Sequence, residues 1–286
     1  MELKNEKRKL EGETLLRQCQ LVELEILDEF VKLCEKYQLR YFLNAGTLLG
    51  AVRHGGFIPW DDDVDVAMPM EDFKKFIRLT KNDIPDHLYL QIPGKEPGVI
   101  EGFGKLMDRR SFFCQAETDV RVPCGIYIDI FPFIRVPALP KKLEAFLTYW
   151  SYQSWMASQL HKNLPHRFVV GLLLSAVKSL VWRTIFHSIR FVYFLLRPFY
   201  PEHMHDPFTA CPVAAGVVSV PEDKLLPTKK MMFEGKLYNV PNDPDAYLTQ
   251  HYGDWRTLPP PEKRHWHASI ICPTQAPDQP WARKYE

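Results

Sequence analysis

The stretch Asp61-Asp62-Asp63-Val64-Asp65-Val66-Ala67-Met68 places four carboxylates in five consecutive positions and then alternates. Alternation predicts a strand, in which residues two apart share a face, so Asp61, Asp63 and Asp65 are expected to project together. Asp62, Val64 and Val66 then point the other way, and the two valines anchor that face in a core. Two ionised carboxylates ~4 Å apart repel by about 4 kcal/mol at an effective dielectric of ~20. Both keep their charge near neutral pH with a counter-cation between them; otherwise one takes a proton. Hard oxygen donors with no His or Cys nearby suit Mg2+ or Mn2+, ions that bridge protein carboxylates to phosphate oxygens. The chemistry implied is therefore on a phosphate ester. A third acid, Asp129, lies within Ile126-Tyr127-Ile128-Asp129-Ile130-Phe131, where apolar neighbours predict a mostly buried strand and a carboxylate needs a reason.

Upstream, Tyr41-Phe42-Leu43 reads as a short strand that turns at Asn44-Ala45-Gly46 into a helical segment opened by Thr47. A glycine at such a turn allows close backbone approach, and helix N-terminal amides favour anionic oxygens. Gly46 and Thr47 are thus candidate phosphate contacts, although a Gly-Thr pair by itself is only a helix start. Arg53, His54, Lys105, Arg109 and Arg110 are candidate phosphate clamps. Lys105 stands out because it interrupts an apolar strand pattern, Gly104-Lys105-Leu106.

These residues need elements to hold them. Leu15, Cys19, Val22, Ile26, Phe30 and Leu33 recur in steps of three and four, with Glu23, Asp28, Lys32 and Glu35 between them, which predicts an amphipathic helix over 12–36. Gly55-Gly56-Phe57-Ile58-Pro59-Trp60 is loop punctuation. Pro69 ends the acidic strand, and Asp72, Phe73, Phe76, Ile77 and Leu79 suit a helix. Further strands are expected at 88–92, 103–107 and 126–131, a two-strand unit at 232–240, and a helix from Asp243 to Tyr252 closed by Gly253. Mixed strands and helices around one sheet predict an α+β fold.

At 286 residues, 46% hydrophobic and 25% charged, the chain falls in the ordinary globular range. Its net charge of +1 conceals an asymmetry: eight Lys or Arg against Glu144 give residues 141–200 a charge of +7, leaving −6 elsewhere. That segment is rich in Trp, Tyr and Phe and bracketed by prolines, which predicts an inserted helical subdomain. Within 181–197, Arg183, His187 and Arg190 form a basic side. The longest apolar run of residues 141–200, ten residues at 168–177, is well short of the ~18 residues of a spanning helix. Two readings stand: a helix docked on an anionic membrane leaflet, or a core helix pair with basic outer faces. Nucleic acid is not an expected partner, because no binding motif accompanies the basic residues. The polar start, Met1 to Glu13, has no signal-peptide pattern, so a cytoplasmic location is expected, peripheral on the inner face of the plasma membrane. The six cysteines match neither a disulfide framework nor a zinc pattern, and read as buried thiols.

From Gly46-Thr47-Leu48-Leu49-Gly50-Ala51-Val52-Arg53-His54-Gly55-Gly56-Phe57 through Ile58-Pro59-Trp60-Asp61-Asp62-Asp63-Val64-Asp65, the sequence resembles the signature of the LicD-type phosphocholine transferase family, whose relatives include the fukutin-type ribitol-phosphate transferases. Weaker matches follow at Asp129-Ile130-Phe131-Pro132, at Phe233-Glu234-Gly235-Lys236, and from Tyr247-Leu248 through His251-Tyr252-Gly253-Asp254-Trp255 to Lys263-Arg264. The resemblance implies a nucleotidyltransferase-type mixed β-sheet core with flanking helices. Its division would be an N-terminal amphipathic helix (1–38), a catalytic core (39–136), the basic helical insert (137–205) and a C-terminal part of the catalytic domain (206–286). Asp63, Asp65 and Asp129 would be the catalytic, metal-binding carboxylates, and Gly46, Thr47, Arg53 and Lys105 the donor-phosphate contacts. Asp61, His54, His251, Arg264, His265 and His267 are candidate substrate contacts. The implied reaction moves phosphocholine or a similar phospho-alcohol from a CDP-activated donor to a glycan or lipid-linked glycan, releasing CMP. A nucleotidyltransferase acting on a small molecule would use the same carboxylates, and a non-catalytic membrane-surface protein is the rival of another class.

Overall fold

Apolar side chains at helical spacing build α1 (Leu15–Lys36), which begins where the Thr14 hydroxyl accepts from the Arg17 amide at 3.2 Å. The structure is a computed structural model, and it describes residues 13–92, 103–115, 124–135, 208–210, 219–264, 266 and 268–274, with isolated helical positions between 177 and 195. Along α1, Cys19, Val22, Ile26, Phe30 and Leu33 are buried as expected and Leu27 is buried with them, whereas Leu15, at the first turn, is exposed. Glu23 is buried as well, which overturns its placement on the polar face. The helix packs against β4 (Gly104–Asp108), β6 (Tyr127–Arg135) and β11 (Ala268–Cys272), so its covered stripe is wider than its apolar residues mark.

The central sheet is mixed. Its main path runs β1 (Phe42–Leu43), β2 (Val64–Pro69), β6, β4 and β3 (Leu88–Gln91), while β7 (Phe208–Ala210) pairs with the last residues of β6 and with β8 (Ser219–Val220). Among the described pairings of this sheet only β2 and β6 are parallel. Val64, Val66, Ile128 and Ile130 are fully buried on one face, the anchoring expected of them. That face receives α3 (Met70–Leu79) through Phe73 and Phe76, and the Phe30 ring of α1 meets Phe76 at 5.2 Å and Tyr41 at 5.4 Å.

α2 (Ala45–His54) follows β1 and ends at Gly55, whose φ of +66° is a left-handed conformation that favours glycine. A Cβ on Gly50 would lie 2.5 Å from the Gly56 carbonyl oxygen, so this glycine lets the loop fold back onto α2. The C-terminal region adds α4 (Glu222–Leu225), the hairpin of β9 (Lys229–Phe233) and β10 (Lys236–Val240), and α5 (Pro244–Tyr252), capped by Asp243 and closed by Gly253.

Two expectations need correction. The acidic strand begins at Val64, so Asp61–Asp63 lead into β2 instead of forming part of it. β6 first pairs at Val64↔Ile128, and β1 reaches only Val66 and Ala67, so the acids before Val64 meet no strand. The small sheet of β5 (Phe112–Gln115) with β11 was not foreseen, because its partners lie far apart in sequence. The expected insert at 137–205 lies outside the described residues except at scattered helical positions, and its basic residues Arg183, His187 and Arg190 lie outside them too. Cys19, Cys34, Cys114, Cys124 and Cys272 are free thiols, mostly buried; Cys211 lies outside the described residues.

Candidate active site

The sheet register assembles the site. Asp65 on β2 is the direct partner of Asp129 on β6, Asp129 is the partner of Lys105 on β4, and Lys105 is the partner of Gln91 on β3. Directly paired residues share a face, so two carboxylates and an ammonium stand in one row. All are deeply buried: Asp65 is 8%, Asp129 7% and Lys105 9% exposed. Lys105 Nζ donates to Asp129 Oδ1 at 2.8 Å and sits 3.7 Å from the centre of the Tyr127 ring, on the same strand two residues from Asp129. Its position among apolar residues is explained by that carboxylate and by the cation–π face.

The row is short of positive charge. Burial, then the charges of Asp63, Asp129 and Asp61, push the Asp65 carboxyl well above its usual range, with Lys105 the opposing influence. Glu23 enters the same field: burial raises its carboxyl, followed by the charge of Asp63. Its Oε1 accepts from the Cys19 thiol at 3.4 Å, and its Oε2 is buried without a partner. Tyr252, 42% exposed, feels Asp65, Asp61 and Asp63. Sequence reading passed over Glu23, Tyr127 and Tyr252 as site residues. Only Tyr252 carried a signal, through its place beside His251.

The donor set is hard carboxylate oxygen, in a field that a cation would relieve, and this fits Mg2+ or Mn2+. Among the described residues no three Asp, Glu, His or Cys side chains cage an ion by themselves. Mg2+ is commonly held by one or two carboxylates, with phosphate and water completing its shell, so a register-paired couple meets that requirement.

Around the row, Thr47 Oγ1 accepts the Asp65 amide at 2.8 Å, tying the first turn of α2 to β2. The Asn44 amide donates to the Asp65 carbonyl at 2.9 Å, and Asn44 Oδ1 accepts from the buried Tyr247 hydroxyl on α5. A Cβ on Gly46 would lie 2.9 Å from Asp61 Oδ2, so the close approach that this glycine permits is occupied by the Asp61 carboxylate. Asp62 is buried and accepts from the Ala268 amide at 2.8 Å.

The remaining candidates spread around this centre. Arg53 donates through Nη2 to the Thr257 carbonyl at 3.2 Å, and its Nε is buried without a partner. His54 is exposed. His251 stacks on Tyr247, lies edge-on to Tyr252 with ring centres 4.3 Å apart, and is held below its usual pKa by burial. Arg264 donates to the Pro259 carbonyl at 2.8 Å and lies over the Trp60 ring. Arg110 belongs to a structural ion pair with Asp108 at 2.9 Å, beyond the other end of β4 from Lys105, and Arg109 lies over Tyr89 there. His265 and His267 lie outside the described residues.

Residues 38–176 match the family described as LicD/FKTN/FKRP, nucleotidyltransferase domain. The chain is 29% identical over 266 residues to the lipopolysaccharide cholinephosphotransferase LicD of Haemophilus influenzae, spanning 88% of this chain and 95% of that protein. It is 52% identical over 42 residues to the ribitol 5-phosphate transferase FKRP of Homo sapiens, or 15% of this chain and 8% of that one. An uncharacterized protein of Caenorhabditis elegans is 28% identical over 147 residues, 49% of this chain and 36% of its own length. The segment that matches the LicD family contains Gly46, Thr47, Asp63, Asp65, Lys105 and Asp129.

Proposed function

We propose that this protein is a transferase that moves phosphocholine, or a closely similar phospho-alcohol, from a CDP-activated donor to a hydroxyl of a cell-surface glycan such as a lipopolysaccharide, teichoic acid or capsule precursor. The observation that carries the reading is the buried row Asp65–Asp129–Lys105, set by strand register beside the first turn of α2. The near full-length similarity to a lipopolysaccharide cholinephosphotransferase supports phosphocholine as the group moved. A mixed sheet with acids on adjacent parallel strands also suits a nucleotidyltransferase-type core.

Asp65 and Asp129, with Asp63 as the further carboxylate that the family resemblance implies, would hold Mg2+ or Mn2+, which when bound neutralises charge on a pyrophosphate and orients it for in-line displacement. Lys105 offers a second positive charge to the donor phosphates. Gly46 and Thr47 would offer first-turn amides to a donor phosphate, at a place that the Asp61 carboxylate takes in this structure. An acceptor oxygen bonds to the phosphorus bearing the alcohol while the bond from that phosphorus to the bridging oxygen breaks, and the bridging oxygen leaves with CMP. The carboxylates of the row are the bases available to the acceptor proton. Tyr252, which feels the charges of the acids, and the half-buried His251 against it would be substrate contacts. A membrane-borne acceptor fits residues 141–200, which carry +7, and the helical positions Leu180, Val181, Phe191 and Leu195, whose apolar side chains are exposed. Among the described residues no helix is long and apolar enough to cross a membrane.

The test supplies CDP-choline, CDP-ribitol or CDP-glycerol with lipopolysaccharide or teichoic acid and Mg2+. CMP release that disappears with EDTA and in Asp63→Asn is the expected result. Pyrophosphate release from a nucleoside triphosphate, with no CMP from any CDP-alcohol, would replace this reading with nucleotidyl transfer.

A further inference from the structure

The loop Gly55–Asp61 delivers the acids to the site, yet it belongs to no strand or helix. Its position is fixed by contacts from two remote elements. At its start, the Glu234 amide donates to the Gly55 carbonyl at 2.8 Å, and Glu234 Oε1 accepts from the Phe57 amide at 3.1 Å. At its end, Gln20 Nε2 on α1 donates to the Asp61 carbonyl at 2.9 Å. Arg17, one turn earlier on α1, joins the two grips: Nη1 donates to Gln20 Oε1 at 3.1 Å and Nη2 to Glu234 Oε2 at 2.7 Å. The result is an unbroken path, Phe57–Glu234–Arg17–Gln20–Asp61, that holds both ends of the loop.

Two local features show that Glu234 is held here for its side chain. It occupies the first central position of the two-residue β9–β10 turn at φ +50°, followed by Gly235 at φ +77°. Turns with positive φ at both centres favour Asn, Asp or Gly, so a glutamate breaks the local preference. Such departures persist where the surroundings use them. The second feature is Gly56, where a Cβ would stand 2.3 Å from Glu234 Oε1. The loop passes against the carboxylate at a spot where only a glycine fits without displacing it.

We propose that Arg17, Gln20 and Glu234 are positioning residues that set the approach of Asp61–Asp63 to the Asp65–Asp129 row. The inference rests on the transfer reaction above for its effect on rate, while its effect on the loop stands without that reading. An ion pair this near the surface, with Arg17 at 32% and Glu234 at 17% side-chain exposure, adds little stability by itself. Its consequence is geometric, since displacement of reacting groups by about 1 Å reduces rate on the order of a hundred-fold.

The experiment uses the full chain and the variants Glu234→Gly, Glu234→Gln and Arg17→Met. Glu234→Gly is the discriminating one, because it relieves the turn while removing the carboxylate: a merely structural residue leaves the thermal midpoint equal or higher and the site unchanged. The positioning role predicts that, with the midpoint retained, amide exchange from Asp61 to Asp63 speeds up roughly ten-fold or more at residues that Glu234 does not touch. It also predicts weaker Tb3+ luminescence binding and a kcat about ten- to hundred-fold lower with little change in KM. Glu234→Gln, which keeps an acceptor for Phe57, falls between wild type and Glu234→Gly. Unchanged exchange at Asp61–Asp63 in both Glu234→Gly and Arg17→Met overturns the proposal. If wild type neither binds Tb3+ nor releases CMP, the proposed function fails, and exchange alone decides the relay.

Discussion

Removing the charge of Asp65 should stabilise the metal-free protein while abolishing transfer. The carboxyl is 8% exposed, in register with Asp129 and two residues from Asp63, and Lys105 spends its ammonium on Asp129 at 2.8 Å. One like-charge pair at ~4 Å and an effective dielectric of ~20 is worth about 4 kcal/mol. Partial compensation by Lys105 and the loss of acceptor capacity in an amide reduce the net gain for Asp65→Asn to about 1–3 kcal/mol, or roughly 2–4 °C in Tm per kcal/mol for a large domain. The sign follows from the raised folded pKa. Below the unfolded value near ~3.9 both states are protonated and the acid carries no penalty. As pH rises, the unfolded chain releases its proton first, so wild-type stability falls until the folded pKa is passed. The gain from Asn should therefore be close to zero at acid pH and largest at pH ~8. Thermal unfolding in EDTA at two pH values measures it, and added Mg2+ should reverse the order by raising wild type alone. A variant less stable than wild type at the higher pH, or a gain independent of pH, would refute the charge-crowding argument.

Lys105→Met should weaken folding by about 3–5 kcal/mol at neutral pH, because it leaves the Asp129 carboxylate buried without its ammonium; urea unfolding measures this, and a loss under 1 kcal/mol would show the pair to be far more hydrated than its burial indicates. Gly50→Ala should cost about 1–3 kcal/mol or prevent folding, since its Cβ meets the Gly56 carbonyl at 2.5 Å and the Ile58 amide at 3.1 Å, both backbone atoms that cannot rotate aside. An unchanged denaturation midpoint would mean that the loop does not lie on α2.

Much of the chemistry was legible because it broke local patterns. Asp129 and Lys105 each interrupt an apolar strand, and the structure places them 2.8 Å apart. What the spacing could not supply was the partnership of Asp65 with Asp129. A parallel register is set by how the intervening chain packs, and nothing local to either strand encodes it. The same limit explains the acids before Val64: alternation extends back to Asp61, but a strand needs neighbours, and β1 and β6 offer none there. Glu23 was read as a surface residue because helical periodicity identifies the centre of a buried stripe and not its width. The width is decided by β4, β6 and β11, which close over α1 only in the folded protein.

The hairpin at 232–240 was read correctly as a two-strand unit, and Phe233-Glu234-Gly235-Lys236 carries no chemistry that would explain its likeness to a transferase signature. The fold gives it one. The side chain of Glu234 reaches Phe57 and Arg17, and Arg17 reaches Gln20, which holds the Asp61 carbonyl. Residues 217 positions apart thereby act on one loop. A carboxylate cluster on a short unpaired segment would relax away from its own charge unless something outside the segment restrained it, and the restraint must come from groups that are not themselves part of the cluster. Arg17 meets that need: it grips the loop through two partners whose own backbones are fixed, one in α1 and one in a hairpin turn. On this proposal the acidic motif supplies the carboxylates, while a helix before it and a turn far beyond it set where they stand.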